Sequence, residues 1–235
     1  MPKTTAPNQN TAFVLEVDRR LAGIYGHNIT YFHDLDPLSE LVSALLSHRT
    51  RNSDSGKAFH NLIDALGSWE AVRDAPVADV EALIQPCTWP EQKAPRIREV
   101  LRRITEEKGV LSLDFLNDMD AAAARVWLED LPGVGPKTSA AVLSFSNMRG
   151  RALPVDAHHF RVAVRLGIIE LKIGEGKANR VLEDLLPASF TAQEMYDHHQ
   201  FLMRHGQKIC THYRPACTQC TLLDICPTGA QLTGA

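Results

Sequence analysis

No stretch of this chain approaches the roughly 20 consecutive apolar residues that a bilayer-crossing helix needs. Residues 1–11 are polar, carry Pro2 and Pro7, and lack an apolar run, so they read as a disordered tail and not as a targeting signal. Strand-like alternation is almost absent and no segment repeats. These absences point to an all-α monomer without a membrane partner, cytoplasmic and, if bacterial, nucleoid-associated.

Cysteine is scarce as well, at five residues, and four of the five crowd together as Cys210-x6-Cys217-x2-Cys220-x5-Cys226. Thiolate sulfur is a soft ligand for iron–sulfur clusters and zinc. Without a secretory signal the thiols belong to a reducing compartment, where disulfides are rare. Only Cys217 and Cys220 have the two-residue spacing usual in paired structural zinc ligands. Spacing alone leaves a cluster and zinc both open. Cys87 stands apart and reads as a small, partly buried side chain.

Acidic residues are missing from particular segments. The formal net charge is −3, yet residues 131–169 hold one acid, Asp156, against Lys137, Arg149, Arg151, Arg161 and Arg165. Residues 198–223 have no acid but contain Arg204, Lys208, Arg214 and four histidines. Lys93, Arg96, Arg98, Arg102 and Arg103 form a third basic stretch, whereas residues 53–91 carry seven acids. The expectation is a polarised molecule with one positive face, suited to nucleic acid.

What is present is helical periodicity. Apolar spacing predicts helices over 11–25, 38–46, 53–66, 77–84, 94–107, 121–131, 137–146, 157–166, 176–186 and 192–205. Asp36-Pro37 is a start signal, and Thr191 with Glu194 has capping-box spacing. Gly and Pro, among them Gly67, Gly109 and Gly206, punctuate the rest.

Between two of these helices lies Leu131-Pro-Gly-Val-Gly-Pro-Lys137. Gly133 and Gly135 permit positive φ and leave backbone N–H groups uncovered, with Val134 between them. Pro136 can open the second helix, whose free N–H groups and dipole favour an anion. This is a phosphate-binding turn, with an ordinary helix connection as the simpler alternative. Lys137 stands at the mouth of that helix, where the field disfavours a cation and favours a neutral, nucleophilic amine. A phosphate-pairing lysine is the other reading. Asp156 precedes a helical stretch, where it can cap the helix, stabilise positive charge on a sugar, or do both.

The hairpin with its lysine, Val155-Asp156-Ala157-His158 about twenty residues on, and the four-cysteine run together resemble endonuclease III, a family of helix-hairpin-helix DNA glycosylases. The resemblance spans residues 12–226. It implies two helical domains with a DNA-binding cleft between them: a six-helix barrel carrying the hairpin, over 33–146, and a second domain of 12–32 with 147–235 holding a 4Fe–4S cluster on Cys210, Cys217, Cys220 and Cys226. It favours the cluster over zinc.

The same resemblance implies that Lys137 is the catalytic lysine, Asp156 the catalytic aspartate and Glu129 a lesion-pocket acid. Arg49, beside His48, falls where relatives place a glutamine that helps fill the gap left by a flipped base. Trp89 falls in the loop that supplies an apolar wedge. Gly133, Val134, Gly135 and Arg214 would hold DNA flanking the lesion. The implied activity is a bifunctional glycosylase and abasic-site lyase acting on oxidised or ring-saturated pyrimidines in duplex DNA, with β-elimination through a lysine Schiff base. The alternative is a protein that binds abasic or distorted sites with little turnover.

Overall fold

The structure is a computed structural model and describes residues 9–234. In chain order its helices are α1 (Gln9–Tyr25), α2 (Pro37–Ser47), α3 (Asn52–Leu66), α4 (Trp69–Asp74), α5 (Val77–Leu83) and α6 (Pro90–Lys108). Then follow α7 (Ala121–Glu129), α8 (Pro136–Phe145), α9 (Ala157–Arg165), α10 (Glu175–Leu185), α11 (Ala192–Lys208) and α12 (Pro227–Thr233). Short 3-10 turns intervene, and there is no strand among the described residues. The chain divides into residues 33–150 and a second unit formed by the segments on either side, up to 32 and from 151 onward.

Within residues 33–150, α2 carries the most buried face. Leu41, Val42 and Leu46 are fully inaccessible, and the helix packs on α3, α6 and α8. Asp36 starts it by accepting the N–H groups of Leu38 and Ser39, with Pro37 at the first helical position. Gly67 and Gly109, at φ 80° and 73°, close α3 and α6 in the left-handed cap that glycine favours. The short α4 was not foreseen. Its six residues are too few to show a period, and it forms because Ser68 caps it and Trp69 donates to Ser39 Oγ at 2.9 Å. Helix α6 starts four residues before the expected Ala94, because Pro90 fits the first turn, where its missing N–H costs nothing. Residues 147–150 are bonded into this unit through Asn147 N–H to Leu35 O and Gly150 N–H to Leu143 O, both 2.7 Å.

In the second unit α9 packs along α11 and α1 lies against α11. Thr191 and Glu194 form the expected capping box. Gly206 does not end α11; it lies inside it. A Cβ there would come within 2.9 Å of the His158 carbonyl oxygen, so the glycine lets the backbone of α9 approach. Asp197 on α11 accepts the N–H groups of Asn28 and Ile29, fixing the chain after α1. His198 Nδ1 lies 2.8 Å from Asp18, and Arg20 donates to Asp224 and to the Thr221 carbonyl. Helix α1 begins at Gln9, so residues 9–11 of the expected tail are helical, and the rest of that tail lies outside the described residues.

Candidate active site

The hairpin joins α7 to α8. Leu131, Val134, Ala141 and Val142 are buried at its base, as their apolar character requires. Gly133 has φ 78°, and a Cβ there would collide with the Arg96 side chain. Gly135 departs from expectation. Its backbone is extended (φ −110°, ψ −178°) and it caps α8, so it does not use positive φ. Glu129 accepts from Ser139 Oγ at 2.8 Å, bracing one arm of the hairpin against the other. Arg103 ties the end of α7 to α6 through Asp130.

Lys137, the second residue of α8, lines an open cavity of about 340 Å³ with His48, Arg49, Trp89, Gln92, Lys93 and Arg96. The His48 ring is fixed by a 2.9 Å contact between its Nε2 and Thr138 Oγ1. Burial, followed by the positive charges of Lys137, Lys93 and Arg96, pushes the His48 pKa down to about 4. The imidazole is therefore neutral near pH 7. Arg49 and Trp89 both adopt positive φ, 50° and 56°. Trp89 begins α6 without a side-chain cap, keeps 45% of its surface exposed, and lies 5.8 Å from the Arg49 guanidinium.

Asp156 caps α9, with Oδ1 accepting the His159 N–H at 2.7 Å. The arginines of residues 131–169 do not form the free positive face expected from composition. Arg149 binds Asp34 and the carbonyls of His33 and Phe145. Arg151 binds the carbonyls of Pro187 and Phe190. Arg161 holds the carbonyls of Gly206 and Cys210, and Arg165 those of Thr211 and His212. Each guanidinium satisfies carbonyls at helix ends or in loops, a use that charge counting cannot reveal. Of the four histidines in 198–223, His198, His199 and His205 are buried and add nothing to a surface.

Cys210, Cys217, Cys220 and Cys226 line one cavity, shared with Leu166, Ile209 and other apolar side chains. All four are free thiols. Two sulfurs receive backbone N–H groups, Cys220 from Leu222 at 3.4 Å and Cys226 from Gly229 at 3.3 Å, and Arg165 lies 3.3 Å from Cys210 Sγ. Such donors stabilise bound thiolates. Burial raises the Cys220 and Cys226 thiols above their ordinary range. No three metal-ligating side chains among the described residues converge on a single-ion site. Arg214 lies on the exposed turn before Cys217, its carbonyl accepting from Thr211 Oγ1. Cys87 is buried. No helix among the described residues is long and apolar enough to cross a membrane.

A helical hairpin with a lysine at its mouth in one unit and a four-thiol loop in the other define a base-excision repair fold. The chain belongs to the HhH-GPD superfamily of base excision DNA repair proteins, whose model matches residues 42–188. Within it, the chain is an endonuclease III-like DNA glycosylase. Endonuclease III of Thermotoga maritima is 31% identical over 193 residues, covering 82% of this chain and 84% of the relative. A candidate DNA glycosylase of Arabidopsis thaliana is 32% identical over 175 residues, or 74% of this chain, which spans only 58% of that relative's length. A solved non-covalent endonuclease III–DNA complex has the same fold, with TM-score 0.80 at 22% identity over 96% of this chain and 99% of that one.

Sequence reasoning missed Thr138 and Lys93, which fix the loops around the cavity. Thr138 reads as an ordinary helix residue and Lys93 as one of a basic stretch, and nothing in their spacing signals a partner 40 or more residues away.

Proposed function

We propose that the chain excises oxidised or ring-saturated pyrimidines from duplex DNA and then cleaves the strand through a Schiff base on Lys137. The observation that carries this reading is the position of Lys137, one residue past the start of α8, opening into a cavity that no carboxylate lines. A cavity edged by Arg49, Lys93, Arg96 and Lys137 suits a polyanion.

In the proposed reaction the target nucleotide leaves the stack to expose its sugar C1′. Lys137 Nζ attacks C1′ as the C1′–N bond to the base breaks, and the departing base takes the electron pair and a proton. The nitrogen lone pair then opens the sugar ring: the C1′–O4′ bond breaks, O4′ keeps its electron pair and takes a proton from solvent, and the iminium so formed on Nζ acidifies the C2′ proton. Loss of that proton expels the 3′ phosphate, giving β-elimination. Asp156 is assigned, by resemblance, to stabilise the cationic sugar. The N–H groups around Gly133, Val134 and Gly135, with Arg214, are assigned to flanking phosphates, and Glu129 to the lesion pocket.

The four thiols fit a 4Fe–4S cluster, in that they share one mostly apolar cavity and accept N–H donors. The cluster would supply structural bracing, holding in place the loop that carries Arg214.

The deciding experiment is borohydride trapping on a duplex containing an abasic site. The intact protein forms a covalent adduct and Lys137→Gln forms none while still binding the duplex. A full-strength adduct from Lys137→Gln would assign the chemistry to another amine. Binding without adduct or excision by the intact protein would make it a binding protein.

A further inference from the structure

We propose that Lys93 is a positioning residue that sets the presentation of Arg49 and Trp89, and through them discrimination between lesion and undamaged duplex. The proposal rests on the assignment of Arg49 and Trp89 to the gap left by a flipped nucleotide.

Lys93 is 5% exposed. Its ammonium donates to Leu46 O at 2.6 Å, His48 O at 2.9 Å and Thr50 Oγ1 at 2.7 Å. All three protons of the ammonium are therefore used. None goes to a carboxylate, so this is no structural ion pair. The acceptors are the last turn of α2 and the loop that follows, where carbonyls point outward and a cation is favoured.

Both strained residues depend on that arrangement. Arg49 lies between two of the residues that Lys93 grips. Its carbonyl accepts from Thr88 Oγ1 at 3.0 Å, while the Thr88 N–H donates to Thr50 Oγ1 at 3.1 Å. Trp89 is held from the other side, because the Lys93 backbone N–H donates to the Trp89 carbonyl at 3.1 Å. One residue thus ties by its side chain to the loop of Arg49 and by its backbone to Trp89. Two non-glycine residues at φ 50° and 56°, with the guanidinium of one 5.8 Å from the ring of the other, persist only where their surroundings over-determine them. Lys93 and the Thr50–Thr88 bonds are those surroundings. The exposed guanidinium and indole are thereby held side by side before DNA arrives, and preorganisation of this kind strengthens binding without new contacts.

The test uses the full-length protein and two duplexes, one undamaged and one bearing a non-cleavable tetrahydrofuran abasic analogue. The ratio of the two affinities is the readout, because general destabilisation does not change it. Lys93→Met keeps the aliphatic stem and should lower the ratio roughly tenfold, the scale of one lost stacking contact. Combined with Trp89→Ala, it should add little to the loss from Trp89→Ala alone. Should Lys93→Met fail to fold, Thr88→Val, which cuts the Arg49 carbonyl bond at the exposed rim, should lower the ratio in the same direction. An unchanged ratio in a folded Lys93→Met, or in Thr88→Val if Lys93→Met does not fold, overturns the positioning role when Arg49→Ala and Trp89→Ala lower the ratio. If those two variants leave the ratio unchanged, the gap-filling assignment itself falls, and the proposal with it.

Discussion

The Arg96 side chain closes over Gly133 so tightly that a Cβ on Gly133 would collide with Arg96 Cδ. Gly133 also sits at φ 78°, where an L side chain is strained. Gly133→Ala should cost about 1–2 kcal/mol of stability from the backbone alone and push Arg96 out of the cavity wall. Fluorescence anisotropy should show weaker binding to damaged and undamaged duplex alike. Gly135→Ala is the control: its backbone is extended and a Cβ meets nothing within 4 Å. It should cost less, about 0.5–1 kcal/mol for the poorer N-cap.

Asp156 caps α9 and is also the proposed charge-stabilising group, and two substitutions separate these roles. Asparagine caps as well as aspartate, so Asp156→Asn should keep the melting temperature while excision slows. Asp156→Ala should lose roughly 1 kcal/mol of stability in addition. Equal melting and equal excision in the wild-type protein and Asp156→Asn would leave the residue only its cap.

Gly206→Ala should destabilise the unit containing α9 and α11 by about 1–3 kcal/mol. The obstacle is the His158 carbonyl, a backbone atom that cannot swing aside. Thermal unfolding checks this, and an unchanged midpoint would mean that α9 and α11 separate freely.

Stability should fall on mild acidification. The His48 pKa is lowered from 6.5 to about 4 by burial first and by Lys137, Lys93 and Arg96 next. The unfolded chain takes up this proton below pH 6.5, whereas the folded chain resists until about pH 4. The contribution is complete above 6.5 and lost as the pH falls through 4. Solvent screening at the partly exposed ring limits it to the order of 1–2 kcal/mol. His48→Gln should flatten the melting profile across that window, and an identical slope in the variant would refute the assignment.

Purified protein should contain about four iron and four sulfide per chain. Cys217→Ser should lower both and expose the C-terminal loop to protease. One zinc without sulfide would replace the cluster.

Much of this was legible in the sequence because it is written locally. Asp36-Pro37, the Thr191–Glu194 box and the glycine caps at 67 and 109 are decided by neighbours within one turn, and they form as read. The gathering of the cysteines was legible for the same reason. Gly206 was misread because its purpose is the approach of α9, 48 residues earlier in the chain at His158. The arginines at 149, 151, 161 and 165 were misread because sequence shows charge but not the carbonyls that consume it. Lys93 was read only as part of a basic stretch, because its acceptors are mostly backbone oxygens, which every residue possesses.

The unit containing the thiols is made from the segments on either side of residues 33–150. Asp18 meets His198 180 residues later, and Arg20 meets Asp224 204 residues later. On the ribosome, α1 emerges before residues 33–150 and waits for partners translated after them, whereas residues 33–150 leave the exit tunnel as one uninterrupted piece. The lysine-bearing hairpin is therefore completed before the thiol loop exists.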